Sequence, residues 1–228
     1  MYNFVRRSYY RTNNMTPYKT IYGHGQGSLT AKKSKFISNS YPVKSKQEAE
    51  EIISTLRKKY FDATHNVFAY RVLEGGMVIE RQSDDGEPGG TAGMPLLELL
   101  RGEELLNIIV VVTRYYGGTL LGTGGLVKAY GHCGKNSLED IIEKKPYIYV
   151  SITSNYSLGG KIEYEILKHN HIIDNTIYTN NVEYLIYLED YRWPPFEKII
   201  SNITGANAVV TVLGKVYGFI YKESFIKE

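Results

Sequence analysis

The sequence predicts an α+β protein of two domains, and three observations carry that expectation. The first is an unbroken apolar, β-branched run, Ile108-Ile-Val-Val-Val-Thr113, which reads as a buried strand feeding a glycine-rich turn and a helix. The second is the punctuation at Lys144-Lys-Pro146, which reads as a domain boundary. The third is the pattern beyond it: strand, helix, strand, strand, helix, strand. A length of 228 residues, with 43% hydrophobic and 22% charged, suits one large or two ordinary globular domains.

In chain order, Lys35 to Val43 reads as the first strand. Ser45-Lys-Gln-Glu48 is a capping box, in which the hydroxyl and the carboxylate satisfy orphan N–H groups at a helix start. Ala49, Ile52, Ile53, Leu56 and Tyr60 follow on one helical face, and Arg57, Lys58 and Lys59 suit the dipole at its end. His65 to Leu73 and Met77 to Arg81 form a hairpin turning at Gly75-Gly76. Leu96, Leu97, Leu99 and Leu100 mark a short helix with Pro95 in its first turn. After the buried strand, a helix begins near Thr123 and turns Leu126, Tyr130, Cys133, Ser137 and Ile141 to one face. Cys133 is therefore expected to be a core thiol.

In the second domain, Tyr147 to Thr153 alternates, and Leu158, Ile162 and Ile166 mark a helix. Strands at 172–178 and 182–189 meet at Asn180-Asn181. Pro194-Pro195 starts a second helix, and Ala208 to Leu213 closes the set. This order is the split βαβ, ferredoxin-like arrangement. Its first and third strands are central neighbours, so Tyr149 and Tyr187 face one way together, either as a stacking platform for bases or as a buried patch. His169 and His171 are expected at a solvated helix end.

The chemistry concentrates in two loops. Arg114 stands at the strand end before Gly117, Gly118, Gly122, Thr123, Gly124 and Gly125, with Lys128 in the helix that follows. A strand, a glycine-rich turn and a helix N-terminus present free N–H groups to an anion. These residues, with Arg81, form the candidate phosphate or nucleic-acid site. The Walker tripeptide is absent, and Val127 occupies the third glycine position of the dinucleotide fingerprint. The other loop, 81–93, carries Asp84, Asp85 and Glu87. These acids, with His65 nearby in sequence, either hold Mg²⁺ in an enzyme acting on a phosphorylated molecule or RNA, or cap turns and lock the loops together. No hydrolase elbow or zinc-protease motif is present, so no catalytic residue is assigned, and no cofactor is expected outside the Mg²⁺ alternative.

Charge is uneven. Residues 1–47 hold nine Lys/Arg and no acid, whereas the whole chain carries a net charge of +3. Residues 1–26 read as a basic, tyrosine-rich extension, partly disordered, with Met15 as an alternative start. No apolar run reaches a membrane span or forms a secretory core, and the single cysteine forms no intrachain disulfide, so a cytoplasmic location is expected.

Lys33-Ser-Lys-Phe-Ile37, Ala63-Thr-His-Asn66, Ser83-Asp-Asp-Gly-Glu-Pro88 with Gly90-Thr-Ala-Gly93, Thr113-Arg-Tyr-Tyr-Gly-Gly118, and Leu121-Gly-Thr-Gly-Gly-Leu-Val-Lys-Ala-Tyr130 follow one another in order. Together these motifs closely resemble the IMPACT/YigZ family. The resemblance implies a first domain over 27–145 of the βαβ kind shared by ribosomal-protein and RNase PH folds. It implies a ferredoxin-like second domain over 146–228, similar to the last domain of elongation factor G. Eukaryotic relatives regulate translation through a protein partner, and bacterial relatives have no settled reaction. The expected function is a non-catalytic regulator associated with translation that binds RNA or the ribosome, or a protein-interaction module in the same process.

Overall fold

The computed structural model describes residues 15–228. The chain divides into two compact units, Tyr18–Glu143 and Lys144–Glu228, with residues 15–17 grouped with the latter. The expected disorder at the start of the basic extension falls on residues 1–14, outside the described residues.

The first unit contains β1 (Tyr18–Ile21), β2 (Gly25–Ala31), β3 (Ser34–Pro42), α1 (Lys46–Lys59), β4 (His65–Glu74), β5 (Met77–Ser83), α2 (Gly93–Gly102), β6 (Ile108–Tyr115) and α3 (Thr123–Lys135). Five strands form an antiparallel sheet in the order β2-β3-β6-β4-β5. The apolar run is therefore the central strand, and it is apolar throughout because both its faces are covered. Ile109 and Val111 pack with Ala49, Ile53 and Leu56 of α1. Ile108, Val110 and Val112 pack with Leu96 and Leu100 of α2 and with Leu126, Tyr130 and Cys133 of α3. Cys133 is fully buried, and burial pushes its thiol pKa up.

Local chemistry sets the ends. Ser45 Oγ accepts from the Glu48 amide at 3.1 Å and starts α1. The Glu48 carboxylate reaches one residue further back than a capping box requires, to the Lys44 amide at 2.6 Å. Gly25 and Gly27 of β2 lie against the backbone of Ser137 and Asn136, where a Cβ at either glycine would collide. The first strand, β1, ties in through the Leu106 amide, 2.8 Å from the Lys19 carbonyl, and buries Ile21.

The second unit holds most of β7 (Ile141–Ser154), then α4 (Tyr156–Lys168), β8 (Ile172–Tyr178), β9 (Val182–Glu189), α5 (Trp193–Thr204), β10 (Val209–Tyr221) and β11 (Ser224–Lys227). The strand order is β11-β10-β7-β9-β8. Ile148, Val150 and Ile152 of β7 face Ile162, Ile166, Phe196 and Ile200 of the helices. Asn155 caps α4, and Gly205 ends α5 in the left-handed conformation.

Tyr149 and Tyr187 are register partners, and their rings stack at 4.4 Å. They are not an open platform, because β11 lies over them. Phe225 is 5.2 Å from the Tyr187 ring, and the Lys227 ammonium sits 5.1 Å above it while reaching the Tyr187 hydroxyl at 3.1 Å.

The expected solvated histidine end is also corrected. His171 is 6% exposed and meets the edge of Phe196 at 4.3 Å. Burial, then the charges of Arg192 and His169, lowers its pKa to about 4. The unfolded chain therefore takes up this proton first as pH falls. Stability held above the ordinary histidine range is lost between about pH 6.5 and 4 and levels off below that, by up to about 3 kcal/mol. Urea unfolding followed across this range should show that slope, and His171→Leu should flatten it.

Candidate functional site

The end of β6, the loop after it and the start of α3 meet the acidic loop between β5 and α2. Arg114 pairs in register with His65 of β4 and Phe36 of β3. Its side chain is buried: Nη1 donates to Glu87 Oε1 at 2.6 Å and Nη2 to Ser34 Oγ at 3.2 Å. The guanidinium lies 5.4 Å from the rings of Phe36 and Tyr116. Tyr130 Oη of α3 donates to the same Glu87 oxygen at 2.7 Å. Burial, then Glu87, raises the Tyr130 pKa far above its usual value, so this hydroxyl stays a donor.

Arg114 is therefore no free phosphate ligand, since its charge is met inside the protein by Glu87. Arg81 is corrected too. It pairs in register with Tyr70, and its Nη1 bonds Glu50 of α1 at 2.6 Å.

Asp84 and Asp85 are spoken for. Asp84 accepts from the amides of Gly90, Ala92 and Gly93 at 2.8–3.0 Å and so caps α2, whose own cap residue, Ala92, supplies no side chain oxygen. Asp85 accepts from Arg57 and from the Asn66 amide, each at 2.7 Å. Of the three carboxylates, only Glu87 Oε2 has no hydrogen-bond partner among the described residues. Among those residues no group of three or more His, Cys, Asp or Glu is placed to hold a metal. Asp84 and Asp85, two of the three acids named for Mg²⁺, are thus engaged by the chain's own donors. The acids lock their own loop and reach β6 and α3 through side chains rather than through glycine-loop amides. His65 completes the cluster, with Nδ1 2.8 Å from the Asp85 carbonyl and Nε2 3.8 Å from Glu87 Oε1.

The glycine loop divides into two parts. Gly117 lies against the Lys33 backbone where no Cβ fits, and its amide donates to Ser34 Oγ at 3.2 Å. Gly118 and Gly122 take φ of 78° and 76°, which glycine adopts without cost. Gly122 is the cap residue of α3 and offers no side chain, and the first turn holds no acid. The first α3 hydrogen bond runs from the Leu126 amide to the Gly122 carbonyl. The Thr123, Gly124 and Gly125 amides before it have no partner among the described residues, and Thr123 and Gly124 are exposed.

Lys128 is exposed in the second turn of α3. The tip of the β2–β3 hairpin adds cations that the motif reading did not assign to the site. Lys32 and Lys33 both take positive φ, and Lys32 Nζ approaches the Leu120 carbonyl at 3.4 Å. Lys33, Lys35 and Lys128 are exposed and without an ion-pair partner among the described residues. The available signal was the pair Lys32-Lys33, standing where a two-residue hairpin favours Asn-Gly. A cavity of about 430 Å³ opens beside this end of α3, with His65, Glu87 and Arg114 at its inner end and Leu120, Leu121 and Leu126 on its walls.

Residues 32–138 match the Impact N-terminal domain, and residues 152–207 match a domain of unknown function, DUF1949. "IMPACT family member YvyE" of Bacillus subtilis is 36% identical over 193 residues, covering 84% of this chain and 88% of YvyE. The chain belongs to the IMPACT family. Escherichia coli YigZ, another family member, is 46% identical over 103 residues, 44% of this chain and half of YigZ. A solved structure described as a hypothetical protein aligns over 88% of this chain and 98% of its own at 29% identity, with a TM-score of 0.55.

For this IMPACT-family chain, Arg114→Ala should lower the unfolding free energy by about 3–5 kcal/mol, because it strands a buried carboxylate. Lys128→Ala should change it by no more than about 0.5 kcal/mol. Urea denaturation of both variants checks the difference.

Proposed function

We propose that this protein is a translation-associated regulator in the cytoplasm that holds RNA phosphates, free or on the ribosome, without catalysing a reaction. The observation that carries the reading is the uncapped end of α3. Consecutive amides unpartnered among the described residues and a bare, exposed glycine cap concentrate the positive end of a helix dipole at one spot. Lys32, Lys33 and Lys35 at the hairpin tip and Lys128 on α3 add exposed positive charge to the same unit. Gly122, Thr123, Gly124, Gly125 and Lys128 stay in the proposed site, whereas Arg114 supports it from beneath. The translation context rests on the family resemblance. So do the readings of residues 27–145 as a ribosomal-protein/RNase PH-like domain and of residues 146–228 as a ferredoxin-like domain similar to the last domain of elongation factor G.

A salt titration of single-stranded RNA binding tests the surface. Lys33→Ala and Lys128→Ala should each weaken binding and flatten the slope of log affinity against log salt by about 0.7. Thr123→Pro removes one amide at the first helical position, where proline suits the helix, and should also weaken binding. Affinities and slopes unchanged in all three variants would overturn the reading.

A further inference from the structure

The cavity beside α3 has a chemistry of its own. Its volume of about 430 Å³ falls in the range that takes one small molecule. Its walls are apolar, formed by Leu120, Leu121 and Leu126 with the half-exposed ring of Tyr116. Its inner end is polar and buried.

The hydrogen-bonding capacity at that inner end is defined. Glu87, whose side chain is 3% exposed, spends Oε1 on Arg114 and Tyr130 and keeps Oε2 unpartnered among the described residues. The Asp85 carbonyl has no proton to give, so His65 Nδ1 must be the donor in that bond. In the neutral ring this leaves Nε2 as an acceptor, on the Glu87 side. Arg114 Nε is a buried donor with no partner. The inner end thus offers two acceptors and one orphaned donor. Arg114 Nε, buried and unpaired, favours a ligand that completes it, and the two acceptors can take that ligand's donors.

Among the nucleobases, guanine presents this complement: two adjacent donors, N1–H and the 2-amino group, beside the O6 acceptor. Adenine and cytosine bring only an amino donor, and uracil a single N–H. The walls suit a flat ring, and Gly122 and Thr123 at the cavity rim belong to the uncapped amide end of α3, the phosphate site proposed above.

We infer that this cavity binds a guanine nucleotide, as a free mononucleotide or as an unpaired residue of RNA, with the base at the Glu87–His65 end and the phosphate at the start of α3. The inference rests on the phosphate reading of α3 and adds base recognition to it.

The test uses the full chain and isothermal titration with GMP, IMP, AMP, CMP and UMP, alongside uridine oligomers with and without one central guanosine. GMP should bind at least about tenfold more tightly than each of the others, IMP included because it lacks the 2-amino donor. Tyr116→Ala and Leu120→Ala, both at exposed positions, should abolish this preference, whereas Lys33→Ala should weaken every oligomer alike. A preference confined to mononucleotides identifies a free ligand, and one that extends to the guanosine-bearing oligomer identifies RNA. Equal binding of all five nucleotides, or a preference that survives both wall substitutions, overturns the inference and leaves the phosphate surface standing. Binding of no nucleotide and no oligomer overturns both.

Discussion

The buried ion pair between Glu87 and Arg114 is the constraint on which this site depends. It joins three segments far apart in sequence: the loop after β5, the end of the central strand β6, and α3 through the Tyr130 hydroxyl. Both charged side chains are nearly inaccessible, and a buried pair of this kind adds little net stability over an apolar replacement. Its effect is positional. Because neither charge tolerates losing its partner, the acidic loop has one seat, and that seat fixes where the cavity and the first turn of α3 lie. The aromatic rings of Phe36 and Tyr116 both lie within cation–π distance of the guanidinium.

Much of the fold was legible because its signals are local. The apolar run of β6, the Ser45 cap, the leucines of α2 and the helix–strand order of the second unit all follow from periodicity and capping. The strands β1, β2 and β11 were not legible, because they are short or rich in glycine and polar residues. The glycines of β2 answer to a distant constraint, the backbone around Asn136 and Ser137. In the site, the residue set was largely legible but the roles were not. Arg114 looks like a ligand in sequence, and only the long-range approach of Glu87 makes it a structural cation. Asp84 looks like a metal ligand until it is seen capping a helix that lacks a cap residue of its own.

The second unit shows the same limit from another side. Alternation placed Tyr149 and Tyr187 on one face correctly, and register confirms their pairing. Whether that face is free depends on β11, which carries Phe225 and Lys227 across it. Sheet patterning says which side chains are neighbours; it says nothing of what the last strand of a chain will cover.

The bare beginning of α3 has a further consequence. With a glycine cap and no acidic residue in its first turn, this helix starts without the countercharge that most helices build in. An anion arriving there supplies what the sequence omits, so occupancy and folding stability are linked through mass action. The melting temperature of the first unit would then rise with the concentration of an anion that binds the proposed site.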